Sequence, residues 1–348
     1  MKKISELLVD FRRFQLLYVA LRLNIPQTFA SGPKSLSEVS SASGLHEQRL
    51  LRILRGLLWA EILVSSGEDR FCLSRDYECL ASSSPTLLAD DILFHGRFFY
   101  LAWAYLEDYV KEGSIPFERA HGIRLFDSLI ADSALAREFN RPMATRTLEY
   151  VDQVASLGVF DGAATVVDIG SGEGQLLLGI ASRRVECTGI IFDLEIQKES
   201  ALRAIADASL GGRCRFEAGD MFAAVPKAGD VYLLKWILHD WDDASVVHIL
   251  SVLRRDIPRG ARIVIIERLM PEPVGESVSL AQADLNMLVL NGGAERSLSE
   301  YKRLLRAGGF ALRATEKIES RYGFYALIAE VENVVPIKNS FRFEVRQE

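Results

Sequence analysis

The chain has 348 residues, 49% of them hydrophobic, and a formal net charge of −6. This length suggests two domains that each bury a core, the composition excludes a disordered protein, and the acidic charge argues against a protein that coats nucleic acid. The four cysteines lack the spacing of metal ligands or disulfide pairs, the charged N-terminal segment is unlike a signal peptide, and no apolar run reaches the ~18 residues of a membrane span, so we expect a cytoplasmic protein.

Residues 1–155 are predicted to form an α-helical domain, because apolar residues recur there at helical spacing. Within it, residues 36–74 have the pattern of a winged helix: one helix begins after Ser35, Gly44 ends it, and a second helix and a short hairpin follow. A winged helix raises the alternative of a DNA-binding regulator.

Three arginines lie along one side of the second helix of this unit: Arg49, Arg52 and Arg55. They could contact DNA, or they could form a solvated or salt-bridged face. We favour the solvated face, because the chain is acidic and its second half has the features of an enzyme.

Helices are predicted to continue through Ala89–Lys111, a stretch rich in aromatic residues. This band is too apolar for one solvent-exposed face. It therefore packs in a core, in a dimer interface or against a substrate.

From residue 156 onward, strand-like and helical runs alternate, which predicts a doubly wound, Rossmann-like α/β domain over residues 156–335. The sheet is expected to be mostly parallel and seven-stranded, ending in an antiparallel hairpin, and residues 336–348 form a polar tail. The predicted strands are 165–169, 188–193, 213–217, 230–238, 261–267, 310–318 and 322–331.

The first of these strands runs into a Gly-x-Gly-x-Gly turn at Gly170, Gly172 and Gly174, and Gln175 begins a helix. The Gly-x-Gly-x-x-Gly spacing of dinucleotide binders is absent. Asp168 is badly placed for a pyrophosphate but well placed for an amine. The turn therefore indicates either a cofactor with an amino-acid end and a ribose, or an ordinary glycine-rich connection.

Ligands of such sheets bind at the carboxyl ends of the strands, and several polar residues stand there. Asp193 follows the glycine turn by about 20 residues, where an acid takes a ribose diol. Asp220 can accept from an adenine amino group while Met221 packs on the ring. His239 and Glu267 stand at the ends of the next two strands.

Five motifs in the second half carry a family resemblance: Asp168-x-Gly170-x-Gly172-x-Gly174, Phe192-Asp193-Leu194, Gly219-Asp220-Met221-Phe222, Leu234-Lys235-Trp236-Ile237-Leu238-His239-Asp240-Trp241-Asp242-Asp243 and Gly292-Gly293-Ala294-Glu295-Arg296. In this order they resemble the class I S-adenosylmethionine-dependent O-methyltransferases, in particular the caffeate/hydroxyneurosporene group and its bacterial natural-product relatives. The resemblance extends over nearly the whole chain and implies that the N-terminal domain serves dimerisation.

The resemblance implies a set of residues that bind S-adenosylmethionine: Asp168, Gly170, Gly172, Asp193, Leu194, Asp220, Met221, Phe222, Lys235 and Trp241. It implies that His239 is the general base, that Glu267 and Glu295 flank it, and that no metal takes part. A phenol, with a pKa of about 10, is a weak nucleophile at neutral pH, and a histidine can remove its proton as attack begins. A carboxylate on the other ring nitrogen would fix the tautomer.

The substrate pocket is expected between the two domains and suits a flat aromatic molecule. Its candidate residues are Trp103, Phe126, Phe139, Met143, Asp240, Asn286, Met287 and Leu290. Each of the apolar ones could equally belong to the core.

We therefore predict a homodimeric O-methyltransferase of specialised metabolism, such as antibiotic biosynthesis, that acts on an aromatic hydroxyl. The alternative from another enzyme class is a relative that keeps the cofactor but catalyses hydroxylation, decarboxylation or a pericyclic step. The sequence leaves open the substrate, the methylated position and an N- or C-acceptor.

Overall fold

The computed structural model describes residues 2–82, 86–272, 278–320 and 322–332. The predicted polar tail, residues 336–348, lies outside these ranges. Within them, no helix combines the length and the apolar character needed to cross a membrane.

The N-terminal part contains the predicted pair of helices and hairpin. Its helices are α1 (Lys2–Arg22), α2 (Ile25–Thr28), α3 (Leu36–Ser43) and α4 (Glu47–Trp59), and its antiparallel sheet has the order β1 (Lys34–Ser35), β3 (Arg70–Leu73), β2 (Leu63–Ser65). Ser35 and Glu38 form a capping box at the start of α3, and Gly44 ends it in a left-handed conformation. The three arginines of α4 are exposed. The dimerising role of this part stays a prediction, and so does the absence of DNA binding.

Six helices connect this unit to the sheet: α5 (Leu87–Phe94), α6 (Leu106–Glu112), α7 (Pro116–His121), α8 (Leu125–Ala131), α9 (Ser133–Thr147) and α10 (Val151–Ala155). Helices continue through Ala89–Lys111 as predicted, but a π turn at His95–Phe99 and a 3₁₀ turn at Ala102–Tyr105 divide the stretch. Gly96 weakens the helix there and lets the Tyr18 ring approach so closely that a Cβ would lie 2.2 Å from Tyr18 Cδ2.

The C-terminal part is a mixed α/β sheet with helices on its faces, as the strand and helix alternation predicted. Its strands are β4 (Thr165–Ile169), β5 (Thr188–Asp193), β6 (Cys214–Ala218), β7 (Val231–Lys235), β8 (Arg262–Met270), β9 (Arg296–Ser297), β10 (Phe310–Lys317) and β11 (Phe324–Val331). Its helices are α11 (Gln175–Arg183), α12 (Lys198–Asp207), α13 (Asp243–Asp256), α14 (Val278–Asn291) and α15 (Leu298–Ala307).

Seven strands follow one another in the order β10-β11-β8-β7-β4-β5-β6, and the short β9 pairs with β8. The pairs from β8 to β6 are parallel, whereas β11 is antiparallel to both β8 and β10. The carboxyl ends of β4, β5, β7 and β8 therefore meet at one edge, which is where ligands of such sheets bind.

The predicted strand 230–238 is shorter than expected. It ends at Lys235, and Leu238–Asp240 form a 3₁₀ turn. Trp236 has a φ of +58°, which no extended strand can contain. This early end turns the residues after β7 back over the edge of the sheet.

Alternate residues of the central strands face opposite sides of the sheet. Val166 and Leu233 belong to one buried apolar cluster, while Val167 and Leu234 belong to the other. Burial on both faces, typical of parallel sheets, fixes the strand register and so the position of every residue at the strand ends.

Candidate active site

The glycine turn connects β4 to α11 in a conformation that requires glycine. Gly170 has a φ of +64° and Gly174 a φ of +81°. A Cβ at Gly170 would lie 2.4 Å from Ile237 Cδ1, and one at Gly174 would lie 2.2 Å from Ile191 Cδ1. The turn is therefore pressed against the two neighbouring strand ends.

Asp193, at the end of β5, holds this turn in place. Its Oδ2 accepts a hydrogen bond of 2.7 Å from the Gly172 backbone N–H, and its Oδ1 accepts one of 2.7 Å from Leu194. Burial raises the pKa of Asp193 to about 6, and the two backbone N–H groups oppose that rise. Gly172 and Leu194, both predicted cofactor residues, are thus joined through one carboxylate.

Two opposite charges that influence each other's pKa lie at the same edge, Asp168 and Lys235. Burial raises the pKa of Asp168 to about 7 while the Lys235 ammonium opposes it, and burial lowers the pKa of Lys235 to about 8 while Asp168 opposes it. Lys235 Nζ also donates to Thr147 Oγ1 at 2.9 Å and lies 4.5 Å from the Trp236 ring centroid. Lys235 therefore links the end of β7 to helix α9.

An aromatic wall connects the predicted cofactor residues to the predicted substrate residues. Asp220 Oδ1 accepts from the Phe222 N–H at 2.9 Å, and Met221 and Phe222 are half-buried against the core. The Phe222 ring meets Trp241 edge-on at 4.7 Å, and Phe126 stacks on the other side of Trp241 at 5.4 Å.

His239 is 8% exposed and has two buried carboxylates on one ring nitrogen. Its Nδ1 lies 3.2 Å from Glu295 Oε1 and 3.4 Å from Glu267 Oε2. Asp240 Oδ1 lies 3.9 Å from the other nitrogen, Nε2. Nδ1 therefore faces two carboxylates, whereas Nε2 has no carboxylate within hydrogen-bond distance.

Glu267 also anchors the turn that carries His239. Its Oε1 accepts from the backbone N–H groups of Ile237 at 3.1 Å, Leu238 at 3.0 Å and His239 at 3.4 Å. The Glu267 carboxylate, on β8, thus fixes the main chain after β7, and its second oxygen lies 3.4 Å from the imidazole Nδ1.

His239 and Glu267 have raised pKa values, whereas the pKa of Glu295 is lowered. Burial alone would lower the pKa of His239, but Glu267 and Glu295 raise it to about 10. Burial raises the pKa of Glu267 to about 7, with His239 opposing it. The pKa of Glu295 is lowered, because His239 and the Arg268 guanidinium outweigh its burial. The arrangement therefore stabilises an imidazolium, and the three side chains titrate as one unit.

The predicted substrate residues lie at one side of this unit. Trp103, Phe126, Phe139 and Met143 pack against a buried cluster that includes Leu290, which is a core residue. Asn286 and Met287 are half-buried on α14. Asp240 accepts from Asn291 Nδ2 at 2.8 Å.

Several residues near the site were given no role by the sequence analysis: Asn140, Thr147, Arg268, Asn291 and Arg296. Asn140 Nδ2, on α9, donates to Gln197 Oε1 at 2.9 Å across the mouth of the glycine turn. Arg268 Nη1 lies 3.3 Å from Glu295 Oε1. Arg296 and Asn291 border the Gly-Gly motif, and their position next to Glu295 was the one available hint.

The donor atoms of His239, Glu267 and Glu295 lie within 4.8 Å of one another, a spacing that a metal ion also tolerates. Glu267 Oε1 is already occupied by three N–H donors, and Arg268 is close to Glu295. Both features favour a role in which the two carboxylates orient the His239 imidazole over one in which they bind a metal ion.

Comparisons with known proteins agree on one family. A family model described as an O-methyltransferase domain matches residues 103–311. The chain is 35% identical to phenazine O-methyltransferase PhzM of Lysobacter antibioticus, over 89% of this chain and 90% of that protein. It is 32% identical to mitomycin biosynthesis 6-O-methyltransferase of Streptomyces lavendulae, over 88% of each.

A solved structure is similar over nearly the whole chain. It is an O-methyltransferase from neocarzinostatin biosynthesis in complex with S-adenosyl-L-homocysteine and 1,4-dihydroxy-2-naphthoic acid. The TM-score is 0.84 and the identity 26%, with 94% of this chain and 98% of that chain covered.

Proposed function

The chain belongs to the S-adenosylmethionine-dependent O-methyltransferases, and from that premise we propose that it methylates a hydroxyl group of a phenolic, polycyclic small molecule in specialised metabolism. The observation that carries this proposal is the position of His239. Its Nε2 is the ring nitrogen with no carboxylate within hydrogen-bond distance, and the same turn leads into Trp241, which stacks on Phe126.

The residues at the glycine turn fit S-adenosylmethionine. Ser171 Oγ is buried there without a hydrogen-bond partner among the described residues, so the turn offers an unused polar group. Asp193 would take the ribose hydroxyls, Asp220 and Met221 the adenine, and Asp168 and Lys235 the methionine end. Bound in this way, the cofactor supplies an electrophilic methyl group on a sulfonium.

His239 would accept the hydroxyl proton at Nε2. Glu295, 3.2 Å from Nδ1, holds that nitrogen as a donor and stabilises the imidazolium that forms. The phenolic oxygen then carries the negative charge needed to attack a methyl group in line with it. Holding the two reacting groups beside each other can lower the activation barrier by several kcal/mol, on the order of 7–11 in well-oriented cases.

Phe126, Phe139, Met143 and Trp103 would bind the flat rings, Asn286 and Met287 would border them from α14, and the buried Leu290 would support them from the core. The apolar side chains among them would exclude water. Asp240, held by Asn291, would accept from a second donor on the substrate. The multi-ring acceptor in the neocarzinostatin complex and the name of the phenazine relative support this substrate class.

We propose that catalysis needs no metal. Incubation with a chelator such as EDTA, followed by desalting, should leave kcat within twofold of the untreated enzyme. A loss of activity that Zn²⁺ or Mg²⁺ restores would assign His239, Glu267 and Glu295 as ligands instead.

Mass spectrometry of products formed from S-adenosylmethionine tests the proposed reaction. A panel of polycyclic phenols, with matching aromatic amines, should show a gain of one methyl group on a hydroxyl. His239→Ala should lose this activity by about 10²–10⁴-fold, the usual contribution of a general base, whereas His46→Ala on the exposed start of α4 should not. Acceptors that are consumed but never methylated would support the hydroxylase, decarboxylase or pericyclase alternative.

A further inference from the structure

Arg296 is a charged side chain that is only 3% exposed and that the proposed reaction does not use. It stands next to Glu295 in the chain and pairs with Leu269 as part of the short strand β9. A buried guanidinium is costly unless hydrogen bonds satisfy it, so its partners indicate why it is there.

The partners are main-chain carbonyls on both sides of His239. Nη1 donates to Leu238 O at 2.9 Å, and Nη2 donates to Trp241 O at 2.6 Å. Nη1 also lies 3.4 Å from Ala294 O, and Nε donates to Asp243 Oδ1 at 3.0 Å. One planar side chain therefore spans the whole turn that carries His239 and Asp240.

That turn needs outside support. Leu238–Asp240 form a single 3₁₀ turn, which has poor internal hydrogen-bond geometry. Glu267 holds its N–H groups, and Arg296 holds its carbonyls. The Ala294 N–H adds a bond of 2.9 Å to His239 O, so the loop before Arg296 is attached to the same turn.

We propose that Arg296 is a positioning residue that sets the distance between His239 Nδ1 and Glu295, and this inference rests on the proposed role of His239 as base. Arg296 directly follows Glu295 in the chain. Its hydrogen bonds to Leu238 O and Trp241 O therefore fix the His239 imidazole relative to the Glu295 carboxylate. The charged groups that face His239 are Glu267, Glu295 and Asp240. Of these, Glu295 is the one whose backbone adjoins Arg296.

The substitution Arg296→Lys keeps the positive charge but loses the forked set of guanidinium N–H donors. A single ammonium cannot reach both carbonyls and Asp243. Arg303→Lys is the matched control, because Arg303 also pairs with Asp243, at 2.9 Å, but its side chain is 66% exposed. Asp243→Ala, which frees Nε of Arg296 and the exposed Arg303 but leaves both carbonyl contacts, is a milder second variant if Arg296→Lys folds poorly.

The first readout is the His239 pKa, followed by ¹³C NMR of labelled histidines. The chain has five histidines, and His239→Ala identifies the signal. Arg296→Lys should lower the His239 pKa by letting Glu295 move away, and Asp243→Ala should lower it less. Arg303→Lys should leave it unchanged, and S-adenosylmethionine should bind all three variants with a Kd within twofold of wild type.

The second readout is kcat with the phenol that wild type methylates fastest. Arg296→Lys should lose about 10–100-fold, the usual cost of losing a supporting hydrogen bond. It should lose nothing further when combined with His239→Ala, because both changes act on the same group. If Arg296→Lys leaves the His239 pKa unchanged, or lowers kcat equally in the His239→Ala background, the inference about Arg296 is overturned while the proposed base stands. Full activity of His239→Ala overturns the proposed base and this inference with it.

Discussion

At the scale of single residues, two buried carboxylates raise the proton affinity of His239. Glu267 and Glu295 raise its pKa to about 10, which makes the neutral imidazole a stronger acceptor for a phenol proton than a free histidine. The cost is that the free enzyme holds an imidazolium at neutral pH.

The first prediction concerns pH. Because neutral imidazole is the base, kcat/KM should rise as pH increases from 7 towards 10. Glu295→Gln removes a charge that favours the imidazolium, so the His239 pKa falls and the rise occurs at lower pH, although kcat itself drops. The pH profiles of wild type, Glu295→Gln and the exposed control Glu199→Gln check this; a profile that Glu295→Gln leaves in place would contradict it.

The second prediction concerns Asp193. In Asp193→Asn the amide NH₂ would face either the Gly172 or the Leu194 N–H, so one of the two hydrogen bonds is replaced by repulsion. We expect S-adenosylmethionine and S-adenosylhomocysteine to bind at least about 10-fold more weakly, since a lost bond to a charged group is worth about 1.5–3 kcal/mol. Isothermal titration measures this. Glu195→Gln, an exposed neighbour, should bind as wild type, and equal weakening in both variants would argue against the assignment.

At the scale of elements, the site depends on two interlocked loops, residues 236–241 after β7 and residues 291–296 after α14. Asn291 donates to Asp240, and Ala294 donates to His239 O. Gly293 lies so close that a Cβ there would be 2.0 Å from His239 O. The first loop contains only the 3₁₀ turn Leu238–Asp240, and the second runs from the end of α14 to β9, so the contacts between the loops help to hold both in shape.

The third prediction uses this contact. Gly293→Ala places a methyl group against backbone, which cannot move aside, so the His239 turn must shift. We expect a loss of about 1–3 kcal/mol in the free energy of unfolding, as for overpacked sites, together with a fall in kcat. Gly212→Ala is the control, because a Cβ there meets nothing within 4 Å. Thermal unfolding and kinetics measure the two effects; unchanged values for Gly293→Ala would refute the interlock.

The elements that the sequence predicted well are those with a strong local signal. The strand at Thr165–Ile169, the helix from Gln175 and the capped helix after Ser35 were all correct, because β-branched runs and caps act locally. The break in Ala89–Lys111 was missed, since it depends on the Tyr18 ring meeting Gly96 from another helix.

The same distinction explains the site. Asp193 ends β5, Glu267 lies near the end of β8 and His239 follows β7 after a short turn, so strand periodicity together with the family resemblance located them. The contacts of Thr147 with Lys235 and of Arg296 with Leu238 O join segments that are 88 and 58 residues apart, and no local pattern encodes them.

At the scale of the whole molecule, helix α9 ties the helical part to the sheet. Phe139 packs on the rings of Phe94 and Phe98, Asn140 bonds to Gln197 beyond β5, and Thr147 bonds to Lys235 at the end of β7. One helix therefore contributes to the predicted substrate wall and to both sides of the predicted cofactor site. Helix α9 therefore joins the two parts of the chain, and the proposed site would take residues from both.

The last prediction concerns assembly. Helix α1 exposes four apolar side chains on one face: Ile4 at 67%, Leu7 at 71%, Leu8 at 64% and Phe11 at 49%. Their spacing makes a continuous stripe, and a stripe of this kind is typical of an interface. A second copy of the chain is the proposed partner, so light scattering should give twice the 38.8 kDa chain mass.

The double substitution Leu7→Glu/Leu8→Glu should convert this dimer to a monomer, because four carboxylates would meet across the interface. Leu202→Glu, which alters an exposed apolar residue of α12 at 48% exposure, should leave the dimer intact. All the predicted cofactor contacts come from one chain, so the monomeric variant should still bind S-adenosylmethionine. A monomeric wild type, or a dimer that survives the double substitution, would show that α1 is not the interface.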